Sequence, residues 1–351
     1  MTTRRISFAG ACAGAIALAL AGLASTPPAM AQDDPIQVAF GDIASVESLN
    51  LLIAIERAKE RGVPMELTFF NSEDVAVQAV VGGQADIGVG APYAFLKNSQ
   101  APVRMFYRMS TLLFFPVVNS EMYKGWSDLD GQEIAVHSRG SGTEALMRMM
   151  EQVHDIKYSN VSYVPGAEVR TGAMLQGNLN ATIVDAAGMR VLESEGGGKF
   201  IRLPIDGVNA TDEALYANTE ILDERGEDIQ IFVEELLRTW AEIDADPTIV
   251  ATLRDEYDLL PDLPDEAAAD ITPYYTEAVE GGVYPLDGGE PADVQDDIEF
   301  LAAAGQVDAS GEVNPEDYWD FGPLDAAKAA GTGGAAAPAD AGAAADTAPA
   351  N

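Results

Sequence analysis

Short apolar runs alternate with segments of helical spacing along the first part of the chain. Residues 36–40 and 65–70 are apolar runs typical of buried strands, and apolar positions between them recur at the period of a helix. A second helical segment ends at Gly82 and Gly83, and residues 85–89 form a third apolar run. This alternation predicts a parallel sheet with right-handed crossovers, in which ligands bind at the carboxyl ends of the strands.

The same pattern recurs after a loop at residues 126–129. Predicted strands and helices alternate over residues 133–136, 141–153, 161–164, 168–176, 181–184 and 188–195. Residues 200–203 and 215–217 are predicted strands that lead back to the first unit, and residues 229–243 form the clearest amphipathic helix. We therefore expect an α/β protein with two lobes, each a mostly parallel sheet flanked by helices, and a ligand cleft between the lobes.

The two ends of the chain have their own compositions. Arg4 and Arg5 precede an apolar Ala/Gly/Leu stretch that ends in Ala29-Met30-Ala31, which predicts a secretory signal peptide and a periplasmic protein exported by the Sec route. The arginine pair leaves the twin-arginine route open as an alternative. Aromatic and large β-branched residues are absent near the other end, which predicts a disordered tail. The predicted organisation is a signal peptide (1–31), lobe 1 (32–118), lobe 2 (119–214), a return part of lobe 1 with C-terminal helices (215–322) and the tail (323–351).

Charge and cysteine content exclude several classes of function. The chain has 20 Lys and Arg against 57 Asp and Glu, a formal net charge of −37, which argues against nucleic-acid or anionic-membrane partners. Its one cysteine, Cys12, lies in the predicted signal peptide. The mature chain would then have no disulfide, no Cys-ligated zinc and no cysteine nucleophile.

The first candidate site is a Gly/Ser loop between a predicted strand and a predicted helix. Backbone N–H groups at a helix N-terminus, with a guanidinium nearby, suit a carboxylate, sulfonate or phosphate. The alternative is that Ser141 or Thr143 only caps the helix. The candidate ligand-binding residues here are His137, Ser138, Arg139, Ser141, Gly142 and Thr143.

Further candidates follow other predicted strands and face the same cleft. They are Gly41, Asp42, Ala91, Pro92, Tyr93, Phe115 and Asp185. Tyr93 either stacks on a ligand or is buried under its loop, and Phe115, next to Phe114, either walls the pocket or belongs to the core. Asp42, Glu47 and Asp185 could each receive an ammonium or amidine; Asp185 is the preferred one, and it could equally cap the next helix. A ligand with an anionic and a cationic end would account for Arg139 and Asp185 together.

Enzymatic motifs are missing from the sequence. Its two histidines, His137 and His154, are not part of an HExxH motif, and Ser141 lies in G-S-G and not in a G-x-S-x-G elbow. The three glycines at 196–198 form neither a P-loop nor a dinucleotide fingerprint. The sequence therefore predicts a protein that is not an enzyme and needs no metal or cofactor.

Four stretches resemble one protein family in the order in which that family has them. They are residues 75–88 (VAVQAVVGGQADIG), 128–143 (DLDGQEIAVHSRGSGT), 173–186 (AMLQGNLNATIVDA) and 298–318. They are similar to the periplasmic solute-binding proteins of nitrate, sulfonate, taurine and thiamine-precursor ABC importers. The resemblance implies a type II periplasmic-binding fold and a monomer that closes on a small-molecule ligand and delivers it to a membrane permease and ATPase.

The resemblance also bounds the ligand. We expect a small organic solute that is anionic or zwitterionic, similar to a sulfonate or taurine. The alternatives are a pyrimidine, a thiamine precursor or another aromatic solute, and a role as a ligand sensor.

Overall fold

The computed structural model describes residues 34–331 except 100, 206 and 309–312. The predicted signal peptide and residues 332–351 of the predicted tail lie outside the described residues. Within the described residues, every helix is too short or too polar to cross a membrane.

Strands and helices alternate along the described chain as the apolar pattern predicts. The strands are β1 (Ile36–Phe40), β2 (Met65–Phe69), β3 (Ile87–Gly90), β4 (Val103–Thr111), β5 (Phe115–Asn119), β6 (Glu133–Val136), β7 (Asn160–Tyr163), β8 (Ala181–Val184), β9 (Phe200–Arg202) and β10 (Thr211–Asn218). The helices are α1 (Leu49–Glu60), α2 (Glu73–Val81), α3 (Tyr93–Ser99), α4 (Gly142–His154), α5 (Ala167–Leu175), α6 (Ala186–Glu195), α7 (Thr219–Glu224), α8 (Gly226–Ala245), α9 (Ile249–Glu256), α10 (Asp265–Glu280), α11 (Pro291–Ala303) and α12 (Gly322–Ala329).

Two five-stranded sheets organise these elements. The first has the order β2-β1-β3-β10-β4, with β1 parallel to β2 and β3 and with β10 antiparallel to both of its neighbours. The second has the order β7-β6-β8-β5-β9, with β6 parallel to β7 and β8 and with β5 antiparallel to β8 and β9. The predicted fold class, two lobes with mostly parallel sheets flanked by helices, is confirmed.

The chain changes sheets earlier than the predicted boundaries. Strand β5 pairs with β8, so residues 115–118 belong to the second sheet and not to the first lobe. Strand β9 also pairs with β5 and does not lead back; the return strand is β10, which begins at Thr211. The apolar run 112–118 continues through the crossing, so its periodicity carries no mark of the point where the sheet changes.

The C-terminal helices complete the first lobe. Trp240 of α8 is fully buried and donates a hydrogen bond from Nε1 to the carbonyl oxygen of Met109 (2.8 Å). Leu324 and Ala327 of α12 are buried in the same core, against α8. The prediction of a disordered tail from residue 323 is therefore wrong for residues 323–331, because two apolar positions one helical turn apart were enough to anchor a short helix.

Helix α11 contacts both lobes. Its Asp293 pairs with Arg108 of β4 at 2.5 Å, and its Asp297 accepts hydrogen bonds from the backbone N–H (2.6 Å) and hydroxyl (2.7 Å) of Thr211. The same helix packs against α4 of the second lobe. Helix α11 therefore lies beside the point where the chain returns from the second sheet.

Candidate functional site

A cavity of about 360 Å³ lies between residues of the two sheets. We call it the acidic cavity, because five of its lining residues are Asp or Glu. Its lining residues are Asp42, Glu47, Glu73, Phe114, His137, Ser141, Thr143, Ala167, Arg170, Asp212 and Glu213. Of the residues predicted from the sequence, the structure brings Asp42, His137, Ser141 and Thr143 together here.

The first lobe contributes carboxylates from strand and helix ends. Asp42 follows β1 and accepts a hydrogen bond from the N–H of Ile43 (2.6 Å). Glu73 begins α2, and its carboxylate lies against Gly90, where a Cβ would come within 2.8 Å of Oε2 and where φ is +140°. Only glycine combines that backbone conformation with such a close approach, so Gly90 lets Glu73 point into the cavity.

The second lobe contributes the loop that follows β6. Ser141 Oγ accepts a hydrogen bond from the N–H of Glu144 (3.3 Å) and caps α4, as the capping alternative predicted. Thr143 Oγ1 accepts from the N–H of His137 (3.1 Å) and lies 2.9 Å from Ser141 Oγ. The two hydroxyls line the cavity, yet they already bond within their own loop. An anion would have to compete with these internal bonds.

The remaining residues of that loop lie outside the acidic cavity. Ser138 is buried, and its Oγ has no hydrogen-bond partner in the described structure. Gly142 lets α4 approach the segment between β4 and β5, because a Cβ there would come within 2.8 Å of Leu112 Cδ1. Arg139 is exposed and its guanidinium stacks 5.1 Å from the centre of the Tyr163 ring. The cation predicted from the sequence therefore does not face the acidic cavity.

Arg170 of α5 is the cation that does line this cavity. It is 1% exposed, and its guanidinium donates to the carbonyl oxygens of Ile183 (Nε, 2.9 Å) and Val164 (Nη1, 2.8 Å). Sequence reasoning missed it, although a signal exists. The buried positions of α5 are Ala167, Arg170, Thr171 and Met174, an apolar helical spacing interrupted by one arginine.

Two smaller sets of predicted residues border neighbouring cavities. Asp185 lines a second cavity of about 380 Å³, whose other residues are Glu47, Thr111, Leu113, Phe114, Ala186, Ala187, Asp212, Tyr274, Ala278 and Val283. Asp185 also caps α6 by accepting from the N–H of Gly188 (2.7 Å). Ala91 and Pro92 line a third, more apolar cavity, which also includes Glu73, Phe95 and Arg139. Glu73 thus borders the acidic and the apolar cavities.

Three residues predicted to contact the ligand, Tyr93, Phe115 and Gly41, do not line these cavities. Tyr93 is 1% exposed and its hydroxyl accepts from Trp319 Nε1 (2.7 Å), so it is a core residue under its loop and does not border the three cavities described. Phe115 stacks under the guanidinium of Arg202, 3.6 Å from its ring centre, and the neighbouring Phe114 walls the first two cavities. Gly41 contributes its carbonyl oxygen, which accepts from His137 Nε2 across the cleft (3.2 Å).

Burial dominates the electrostatics of the acidic cavity. It raises the pKa of Asp42 to about 6, of Asp212 to about 7 and of Glu73 to about 8. Burial and then the charge of neighbouring carboxyls raise the pKa of Glu47 and Glu213 well above the usual range. The cavity therefore disfavours the ionised carboxylates that line it, unless a positive charge is brought in.

A family model matches more than half of the chain. The match covers residues 48–249 and is described as NMT1/THI5 like. The chain belongs to the NMT1/THI5 like family. Membership confirms the resemblance to the nitrate, sulfonate and thiamine-precursor binding proteins. A comparison with curated protein sequences found no match.

Solved structures share the fold of this NMT1/THI5 like chain at low sequence identity. A protein from Bordetella bronchiseptica RB50 superposes with a TM-score of 0.68 and 22% identity, over 85% of this chain and 98% of that one. The periplasmic nitrate-binding protein NrtA from Synechocystis PCC 6803 gives 0.63 and 13%, over 86% and 91%. The alkanesulfonate-binding protein SsuA from Xanthomonas axonopodis pv. citri, bound to MOPS, gives 0.55 and 15%, over 77% and 90%. These likenesses show the two-lobed periplasmic-binding fold.

Proposed function

We propose that this protein is the solute-binding component of an ABC-type importer and that it holds a small organic solute in the acidic cavity. The observation that supports this most directly is the cavity itself, because its lining comes from both lobes of a periplasmic-binding fold. Asp42 and Glu73 come from the first lobe, whereas His137 and Arg170 come from the second. A solute bound there would contact both lobes and stabilise their closed arrangement.

The structural relatives support the same role. They include a ligand-binding component of an ABC-type import system from Staphylococcus aureus, a nitrate-binding protein and an alkanesulfonate-binding protein. All three are binding proteins. By analogy with these proteins, we propose that this protein is periplasmic and that it delivers the solute to a membrane permease and its ATPase.

The charge of the acidic cavity argues against a sulfonate-like anion as the solute. One guanidinium, that of Arg170, faces the carboxyl groups of five lining residues. An anion would interact favourably with Arg170 and would disfavour ionisation of the lining carboxyls further, so it could bind only while these groups keep their protons. The anionic ligand inferred from the Gly/Ser loop is thus the least supported part of the sequence interpretation.

A cavity-filling variant tests the proposed function without changing charge. Ala167 lines the acidic cavity and is 6% exposed, whereas Val169, on the same helix, is 45% exposed. We expect Ala167→Phe to abolish one-to-one solute binding and Val169→Phe to leave it intact. The measurement is a thermal-shift screen over anionic, zwitterionic, cationic and neutral solutes, followed by titration calorimetry on the protein purified from the periplasm. A folded Ala167→Phe protein that binds as tightly as the wild type would disprove the site, and a screen without any stabilising solute would disprove the function.

A further inference from the structure

Six carboxyl side chains line the acidic cavity and the second cavity together. They are Asp42, Glu47, Glu73, Asp185, Asp212 and Glu213. Glu47 and Asp212 border both cavities, which are therefore adjacent. Such a concentration of acids between two lobes does not by itself define a ligand. The hydrogen bonds of each carboxylate show whether it is free to bind one.

Three of these carboxylates are already used by the protein. Asp42 accepts from the N–H of Ile43, Asp185 accepts from the N–H of Gly188, and Glu73 Oε1 lies 3.9 Å from His137 Nε2. These contacts hold the carboxylates at the ends of β1 and β8 and at the start of α2. These three carboxylates therefore have a role in the fold.

The other three, Glu47, Asp212 and Glu213, have uncommitted carboxylates. Within the described residues, no hydrogen bond and no ion pair reaches any of these three side chains, although all three are at least partly buried. Buried polar groups are almost always hydrogen-bonded, and buried charges are almost always paired. Since these residues are half-buried, the partner for these three groups is water or a solute in the cavities.

Arg170 provides an independent indication of a ligand. It is 1% exposed and lines the acidic cavity, yet no described carboxylate lies within ion-pair distance of it. Two of its nitrogens donate to backbone carbonyls, and no described residue accepts a hydrogen bond from Nη2. A buried guanidinium held by backbone oxygens, with a nitrogen left over at a cavity, is suited to a hydrogen-bond acceptor on a bound solute.

Aromatic side chains stand beside the uncommitted carboxylates. Phe114 borders both cavities, and Tyr274 borders the second. Aromatic ring faces attract ammonium and guanidinium groups, and the attraction grows when water is excluded. The walls of the two cavities thus favour the same charge sign as the carboxylates.

This inference rests on the proposed function, since it names the charge class of the solute held in the same cavity. We propose that the solute is an organic cation that carries more positive than negative charge. Its amine, amidine or guanidine groups lie toward Glu47, Asp212 and Glu213, and a hydrogen-bond acceptor at its other end lies toward Arg170. The uncommitted carboxylates extend over the two adjoining cavities.

Proton release provides a signature of this arrangement. A bound cation favours the ionised form of the carboxyl groups, so protons leave Asp212, Glu47 and Glu213 as the cation enters. The groups that face them are Asp42, Glu73, Asp185, His137, Arg170, Tyr274, Tyr275 and Tyr284. Binding enthalpies measured in two buffers with different protonation enthalpies therefore differ for a cation.

The test uses defined probes on the full mature protein purified from the periplasm. The probes are agmatine, with two positive charges; arginine, which adds a carboxylate; taurine; methanesulfonate; nitrate; and calcium and zinc chloride. Calorimetry and thermal shift are carried out at 0.15 M salt, because exposed charges are largely screened there. We expect arginine, whose carboxylate supplies the acceptor for Arg170, to bind one-to-one and more tightly than agmatine, which has no acceptor, and the double variant Glu47→Gln/Glu213→Gln to weaken binding at least tenfold.

A matched double variant controls for the overall negative charge. Glu193 and Glu195 are exposed residues of α6, so Glu193→Gln/Glu195→Gln removes the same charge outside the cavities and should leave binding unchanged. Equal effects of the two double variants would overturn the inference. So would binding of taurine, methanesulfonate or nitrate without binding of the two cationic probes, a result that leaves the proposed function standing. Binding of a metal ion alone with the same sensitivity to Glu47→Gln/Glu213→Gln would also overturn it, as would no binding of agmatine or arginine at millimolar concentration.

Discussion

His137 Nε2 lies 3.2 Å from the carbonyl oxygen of Gly41, and this contact joins the second lobe to the first beside the acidic cavity. A carbonyl only accepts hydrogen bonds, so Nε2 carries the proton and donates. Burial lowers the pKa of His137 to about 4, with the positive charge of Arg170 as the next cause, so the ring is neutral at physiological pH. Nδ1 then faces Asp42 Oδ2 at 3.5 Å without a proton of its own.

Replacing His137 with Ala should favour the open form of the ligand-free protein. The lost hydrogen bond contributes about 0.5–1.5 kcal/mol, so the open form should gain roughly two- to twelvefold in population. Small-angle X-ray scattering should record a larger radius of gyration. The control is His154→Ala, because His154 is the other histidine and stacks on Trp126 at an exposed position. Equal radii for His137→Ala and wild type would refute the role of this contact.

The free energy of unfolding of the ligand-free protein should fall between pH 5 and pH 8. Burial raises the pKa of Asp42 and Asp185 to about 6, of Asp212 to about 7 and of Glu73 to about 8, whereas in the unfolded chain these groups titrate near their ordinary pKa values of 3.8 and 4.5. The folded state therefore holds more protons between pH 5 and pH 8, and stability decreases as pH rises. His137 opposes this trend below its ordinary pKa of 6.5, but it is one group against four.

Urea unfolding at several pH values measures this slope. Asp212→Asn and Glu73→Gln each remove a group with a raised pKa, so the decrease in stability from pH 5 to pH 8 should be smaller in each variant than in the wild type. The exposed pair Glu193→Gln/Glu195→Gln should keep the wild-type slope. Parallel pH profiles for Asp212→Asn, Glu73→Gln and wild type would show that the buried carboxyls do not cause the decrease.

Much of the fold could be predicted because local patterns specify local elements. The run 36–40 is strand β1 as predicted, and the amphipathic segment 229–243 lies inside α8. Sheet membership was less predictable, since β5 and β9 pair by long-range contacts that leave no local signature. Propensity and periodicity describe one segment at a time, whereas strand order is decided by the packing of all of them.

The candidate site shows the same difference between local features, which could be predicted, and long-range features, which could not. The Gly/Ser loop was found because glycine and a capping serine mark a strand-to-helix turn, and Ser141 does cap α4. The arginine that lines the acidic cavity is Arg170, on a helix elsewhere in the sequence, whereas Arg139 lines the third cavity, so its role as a ligand contact stays a prediction. Asp212 and Glu213 were passed over as two more acids in a very acidic chain. Only the tertiary structure distinguishes a buried carboxylate from a solvated one.

Arg190 should help to hold the second lobe against the C-terminal helices. This residue of α6 pairs with Asp270 (2.6 Å) and Glu277 (2.5 Å) of α10. Each pair is partly exposed, so each contributes about 0–1 kcal/mol at most, and less at high salt. Arg190→Ala should therefore increase amide hydrogen exchange in α6 and α10, with a larger effect at low ionic strength.

Arg238 offers the control for Arg190. It also faces two acids, Glu242 (2.9 Å) and Glu235 (3.5 Å), but all three belong to α8. Arg238→Ala removes a comparable charge without separating two elements. Amide exchange of Arg238→Ala in α6 and α10 should match that of the wild type. If Arg190→Ala also exchanges like the wild type, its ion pairs do not hold α6 against α10.

Leu324 of α12 should be essential for the stability of the first lobe. It is 1% exposed and packs in the core that contains Trp240, so Leu324→Ala should lower the free energy of unfolding by about 2–5 kcal/mol. Lys328 is exposed on the same helix, so Lys328→Ala should change the stability by about 0.5 kcal/mol or less. Urea unfolding of the two variants measures the difference. If both variants unfold at the wild-type midpoint, residues 322–329 add nothing to the core and behave as the tail that composition alone predicted.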